Sequence, residues 1–299
     1  MGRQLTRETL GTAESTAASG SNVSHLNDDH RSVGEHYDGP GHEYELTRLE
    51  QQSPVERAMM QRHLAHFVPE NSVVADIGVG AGHYDEFLAR RGCTLYLADV
   101  SSRLLDAALV RLKTRGLSDR VLDARVASAI DLSHLDSGRC DAVLMLGPLY
   151  HLLTLAERQQ AVGEARRVLR SEGVFMAAGC NRVAGLASGY LLDPETCVEL
   201  RDVYRRFLED GLVDPELAPP LGHAYFATVA EFRASFDDDF EELLFAGIES
   251  LTSTRQDLFL DLPGEIQQTW LDFVESTASR PEGIAMSGHL LFVGRPRGA

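Results

Sequence analysis

Val73-Val74-Ala75-Asp76-Ile77-Gly78-Val79-Gly80-Ala81-Gly82 is the stretch whose reading decides the fold of this chain. An apolar run of strand length meets three alternating glycines, and residues 82–91 continue with Phe87 and Leu88 at helical spacing. Glycine permits a tight turn and lets a ligand approach the backbone closely. At the carboxyl end of a parallel strand, such a turn lies where open α/β sheets bind ligands.

The pattern repeats outward from that turn. Residues 94–100 read as a strand, 101–114 as a helix ended by Gly116, 125–127 as a short strand and 140–146 as a strand. Residues 154–169 follow as a helix and 173–179 as a strand. Strands alternating with helices predict a Rossmann-like, doubly wound α/β sheet, mostly parallel and covered on both faces. Capping boxes are expected at Ser53/Glu56, Thr154/Glu157 and Thr228/Glu231.

After residue 180 the rhythm changes. Residues 181–224, with Tyr190, Tyr204 and Phe207 and ending at Pro219-Pro220, read as a helical lid or insertion. Two strand-like segments, 243–248 and 289–294, flank a helix at 263–279. The division expected is a disordered tail over 1–32, a helical cover over 33–69, a core over 70–180, the lid, and a C-terminal part of the sheet over 225–297.

Spacing discriminates between ligands. A dinucleotide turn, G-x-G-x-x-G, needs glycine where His83 stands, and the phosphate loop G-x-x-x-x-G-K-[ST] is also missing. Asp99 ends the next strand and can accept hydrogen bonds from both ribose hydroxyls. Its plainer role is to cap the following helix, which Ser101 could do instead. The strand at 140–146 ends in Gly147-Pro148-Leu149-Tyr150-His151-Leu152.

With D-x-G-x-G-x-G at residues 76–82, Asp99 and this G-P-L-Y-H-L run, the chain resembles the class I S-adenosylmethionine-dependent methyltransferases, in particular a small-molecule group. The likeness extends over roughly 33–297. Glu43–Leu49, Ser53–Arg57, Leu169–Val174, Ala224–Phe226 and Ser287–Arg295 look like further landmarks of that group. It implies a seven-stranded sheet whose last strand is antiparallel, and S-adenosylmethionine as cofactor. Asp76, Gly78, Gly80 and Gly82 would hold the methionine part and Asp99 the ribose, while Leu146 and Gly147 would border the sulfonium. Tyr37 would touch the carboxylate end. The acidic residue that many members place after the third strand is missing, so Ser128 and the Ala129 backbone are left for adenine. His83 stands where the group often has arginine.

Methyl transfer asks the protein mainly to align and desolvate a nucleophile, with a base only where a proton must leave. His151 is the candidate base, and is equally readable as a histidine bonded to backbone at a helix start. Tyr150, Arg182 and Tyr225 are candidates for the substrate pocket, against packing roles for the tyrosines and an ion pair for the arginine. His289 reads as a satisfied structural histidine and Arg48 as a helix-face salt bridge.

Composition bounds the partners. A net charge of −17 over 299 residues leaves no basic footprint for nucleic acid. No apolar run is long enough to span a membrane, and no signal segment opens the chain. The four cysteines, Cys93, Cys140, Cys180 and Cys197, form no metal-binding spacing, so no metal is expected. The expectation is a cytoplasmic enzyme, monomer or homodimer, that methylates O, N or C of a metabolite. The alternatives are a nicotinamide-dependent oxidoreductase and a cofactor-binding fold without turnover.

Overall fold

The computed structural model describes residues 28–192, 195–213 and 221–298. The tail up to residue 27, Pro219-Pro220, and the side chains of Tyr190 and Cys197 lie outside it. Residues 28–32, expected as part of the tail, belong to the first helix.

Three helices come first: α1 (Asp28–Asp38), α2 (His42–Gln51) and α3 (Pro54–Phe67). The alternating core is β1 (Val73–Ile77), α4 (His83–Arg90), β2 (Thr94–Asp99), α5 (Ser102–Thr114), β3 (Val121–Val126), β4 (Cys140–Met145), α6 (Leu155–Val168) and β5 (Leu169–Cys180). The segment expected as a lid folds as α7 (Arg182–Leu192), α8 (Thr196–Glu199), α9 (Arg201–Asp210) and β6 (Leu212–Val213). Last come β7 (Ala224–Tyr225), α10 (Val229–Ala234), β8 (Phe240–Gly247), α11 (Gly264–Ala278), α12 (Pro281–Met286) and β9 (His289–Pro296).

Seven strands form one sheet in the order β3-β2-β1-β4-β5-β9-β8. The five core strands are mutually parallel, and β9 runs antiparallel between β5 and β8. This is the seven-stranded, mostly parallel sheet expected, with its last strand reversed. Strand periodicity sends alternate apolar side chains to opposite faces. Val74, Leu144, Met176 and Val293 pack under α3, α4, α5 and α11. Ala75, Val143, Phe175 and Phe292 pack against α6 and the Phe232/Phe236/Phe240 cluster. No helix among the described residues is long and apolar enough to cross a membrane.

Two of the three expected capping boxes form, at Thr154/Glu157 and Thr228/Glu231. The third does not. Ser53 makes no side-chain cap, and Glu56 turns away to bind Arg48. The amides of Val55 and Glu56 donate instead to Gln256 Oε1, 3.1 and 3.0 Å away. A cap supplied from 200 residues along the chain is invisible to local pattern. Gln256→Ala is therefore expected to destabilise the protein by about 1–2 kcal/mol, since two buried amides lose their acceptor. Denaturant melts check this, and a Gln256→Glu variant, which keeps an acceptor, should lose less.

Candidate active site

The glycine turn leaves β1 with Gly78 at φ +83°. A side chain there would meet Pro148 Cδ at 2.8 Å, so the turns after β1 and β4 touch only because residue 78 is glycine. Gly80 N donates to Asp99 Oδ2 at 3.0 Å, and Ser101 N to Oδ1 at 2.8 Å. Ser101 takes the helix cap, accepting from Leu104 N. Asp99 thus ties the turn to the end of β2 and is spared from capping α5.

These turns wall a cleft of about 960 Å³ at the carboxyl edge of the sheet. Its lining includes Tyr37, Asp76, Gly78, Gly80, Asp99, Ser128, Ala129, Leu146 and Gly147. Of the residues expected around a cofactor, Gly82 stands apart. It has φ +76° and would place a side-chain carbon 2.8 Å from Ala108 Cα, so it serves the packing of α4 on α5. His83 points to Glu50 and Arg111, and Arg111 Nε reaches Ala81 O, so α5 brings a guanidinium to the turn.

The cleft is electrostatically one-sided. Burial pushes the Asp99 carboxyl up to about 6. Burial and the facing Asp85 carboxyl push Asp76 well above the usual range. Asp76 Oδ1 is buried without a hydrogen-bond partner. Glu45 lines the same space, and Arg48, its cation, is already held by Glu45 and Glu56 at 3.0 and 2.6 Å. Walls of this kind suit a ligand of net positive charge, such as a sulfonium amino acid nucleoside. They oppose a pyrophosphate, which would meet carboxylates and, among the described residues of the lining, an arginine already held by Glu45 and Glu56.

Helix α1 roofs the cleft. Asp38 Oδ1 accepts from Ser101 Oγ and Arg103 N, which ties one end of the roof to α5. At the same end of α1, Tyr37 Oη lies 3.0 Å from His151 Nε2, and His151 Nδ1 lies 3.0 Å from the His223 carbonyl. The carbonyl requires a proton on Nδ1, so Nε2 accepts from Tyr37. Burial lowers His151 to about 4. With both nitrogens engaged, His151 is a neutral strut for Tyr37 in this arrangement. Its folded pKa lies below the unfolded value, so stability it secures is complete above about 6.5 and falls away as pH drops towards 4. The loss is on the order of 3 kcal/mol. His151→Gln is expected to lose less stability than wild type between about pH 7 and pH 5 in denaturant melts.

A second cleft, about 1290 Å³, adjoins the first, and Tyr37, Glu45, Arg48 and Tyr150 line both. Tyr204, Phe207 and Phe226 give it an aromatic wall. Of the expected substrate residues only Tyr150 is here. Arg182 is buried and donates to the carbonyls of Phe226 and Glu209 and to Glu231 Oε2, joining α9 to the strand and helix that follow it. Tyr225 lies under the Arg158 guanidinium, 3.8 Å from its ring centre, beside a separate small apolar pocket. Arg182 is held in place because a buried guanidinium needs acceptors, and the Phe226 and Glu209 carbonyls with Glu231 supply them.

The sequence reading missed a charged wall in this second cleft. His289 Nδ1 bonds Glu249 Oε1 and lies 3.6 Å from Glu56 Oε2. Burial alone would lower His289, but Glu56 and Glu249 hold it well above its ordinary value. It is a satisfied histidine, as expected, yet its side chain is 25% exposed on the cleft. The ligand atoms of Glu56, Glu249 and His289 lie within 4.8 Å of one another. Their places at positions 56, 249 and 289 leave no motif to read. Only the pairing of β9 with β5 brings His289 beside Cys180, at the carboxyl end of β5.

Comparison with known proteins agrees with this geometry. Residues 75–177 match a family described as a methyltransferase domain. Over 101 residues the chain is 34% identical to methyltransferase GfsG of Streptomyces halstedii, covering 33% of this chain and 34% of that protein. Over 109 residues it is 32% identical to the mouse tRNA (carboxymethyluridine(34)-5-O)-methyltransferase ALKBH8, covering 36% of this chain and 14% of that one. The chain thus spans about a third or less of the length of these curated relatives. A SAM-dependent methyltransferase structure from Methanosarcina mazei superposes with a TM-score of 0.52 at 20% identity, covering 78% of this chain and 96% of that chain, a likeness of fold. The stretch of chain that builds β1 to β5 and the glycine turn thus matches a methyltransferase domain, in a fold shared with a SAM-dependent methyltransferase.

Proposed function

We propose that the protein transfers a methyl group from S-adenosylmethionine to a small-molecule acceptor held in the second cleft. The observation that carries this reading is the junction of the two clefts at Tyr37, Glu45, Arg48 and Tyr150. One side has the glycine turn, Asp76 and Asp99. The other has aromatic rings and a charged wall and touches neither the turn nor Asp99.

When bound, the cofactor supplies a methyl group already activated on a sulfonium. The chain's own residues have the remaining tasks. Asp99 is placed for the ribose hydroxyls, Asp76 and Glu45 for the cationic end, and Ser128 with the Ala129 backbone for the adenine edge. Leu146 and Gly147 border the junction. Tyr37, held by His151, closes the roof, and Tyr150 bounds the path between the clefts. Excluding water there favours displacement at carbon by a neutral nucleophile. A nicotinamide dinucleotide is disfavoured by the acidic walls and by His83 in place of the third glycine.

The name of ALKBH8 raises transfer RNA as an alternative acceptor. The net charge of −17 speaks against it, because a polyanion must be met by cations. We read the enzyme as cytoplasmic, a monomer or homodimer. The test is a thermal melt with S-adenosylmethionine and with a nicotinamide dinucleotide, followed by S-adenosylhomocysteine release against metabolite pools and against bulk tRNA. A rise in melting point with the sulfonium cofactor alone, and release with metabolites, is expected. No shift with that cofactor, or release with tRNA alone, overturns the reading.

A further inference from the structure

Beneath the glycine turn lies a feature that cofactor holding does not explain. Asp85 sits in the first turn of α4, fully buried, and its carboxyl faces the buried carboxyl of Asp76. Neither Asp85 oxygen, nor Asp76 Oδ1, meets a donor of good geometry among the described residues. The charged groups acting on the pair are acids: each on the other, and Asp99 from β2. Asp99 is itself faced by Glu45 from α2 and Asp38 from α1. The cations on adjoining helices are engaged elsewhere, Arg111 with Glu50, Glu86 and Ala81 O, and Arg48 with Glu45 and Glu56. Two buried carboxylates in contact with no cation between them do not both ionise, so one proton is shared.

We propose that Asp85 is a positioning residue that shares one proton with Asp76, and that a cationic cofactor expels this proton as it binds. Asp85 lies behind Asp76, and only Asp76 lines the cleft. The shared proton therefore fixes the Asp76 carboxyl from behind and leaves its other edge facing the ligand. A net positive ligand at that edge favours the doubly ionised pair, and the proton leaves to solvent. The carboxyl O–H bond breaks, its electron pair stays on oxygen, and water or buffer takes the proton. Affinity for the cofactor then rises with pH until the pair is ionised without help. This inference rests on the cofactor reading above.

The test has a ligand-free arm and a binding arm. Infrared spectra of the ligand-free protein should show a protonated carboxyl band at neutral pH, lost in Asp85→Asn and in Asp85→Ser. Calorimetry with S-adenosylmethionine in two buffers of different ionisation enthalpy should show close to one proton released. Where close to one proton is released, affinity should rise close to tenfold per pH unit, read above about pH 7 where Asp99 is already ionised. In Asp85→Asn the amide donates to Asp76, so proton release and the pH slope should both vanish. Should that variant fail to fold, Asp85→Ser and the wild-type release decide alone. Zero proton release by wild type, or a band that survives both substitutions, overturns the pair. Absence of any binding by wild type refutes the cofactor reading instead, and the infrared arm still judges the pair.

Discussion

Asp99→Ala is expected to weaken S-adenosylmethionine binding at least tenfold, about 1.4 kcal/mol or more, because charge-assisted hydrogen bonds are lost. The carboxylate is buried, lines the first cleft, and anchors Gly80 N and Ser101 N. Its removal frees the turn as well as depriving the ligand of an acceptor. Asp99→Asn separates the two effects, since the amide oxygen can still accept from one backbone N–H. That variant should keep the turn's geometry and lose most of the affinity. The acid also sets a pH limit. Its folded value of about 6 is above the unfolded one, so the stability it contributes is complete below about pH 4 and is lost as pH rises through 6. Cofactor binding runs the other way, because the ligand needs the ionised form, and should weaken below about pH 6. Unchanged affinity of Asp99→Ala in calorimetry would remove this residue from the site.

What the sequence disclosed was what local pattern encodes. The run 73–82, the capping boxes at Thr154 and Thr228, and the strand ending in Gly147-Pro148 each carry their geometry in adjacent residues, and each is found where expected. The walls of the first cleft were legible for the same reason, as the ends of β1 to β4 and their turns supply most of them. The second cleft was not. Its wall draws on α2, Ser53 just before α3, α9, the loop after β8 and the start of β9, brought together only by the sheet order. Arg182 shows the opposite failure. A lone arginine past β5 was open to a substrate or to an ion pair, and only the fold shows it among carbonyls and beside Glu231. Gly82 shows that a motif glycine can be required by a neighbouring helix, here α5, and by nothing in the cleft.

Glu249→Ala is expected to cost about 3–5 kcal/mol, because it strands a cationic histidine in a half-dry wall. Glu249 is fully buried, and it accepts from Ser287 Oγ at 2.7 Å, from His289 N at 3.0 Å and from the His289 ring. Burial alone would raise its carboxyl, yet the His289 imidazolium and these donors hold it below the ordinary value. The two partners set a pH window. The acid's share of the stability is present above about pH 4 and is lost as pH falls through its lowered folded value. The histidine's share is complete below about pH 6.5 and is lost only as pH rises through its raised folded value. The pair therefore stabilises most strongly from weakly acid to neutral pH. Glu249→Gln keeps the acceptor for Ser287 and removes the charge, so His289 should fall back towards its ordinary value and the loss should be smaller. Glu56, itself held by Arg48, bears on the same ring, so Glu249 and Glu56 substitutions should be non-additive in a double-mutant cycle. A loss under about 1 kcal/mol for Glu249→Ala would mean that His289 is uncharged in the folded protein, and the second cleft would then be walled by a neutral imidazole rather than an ion pair.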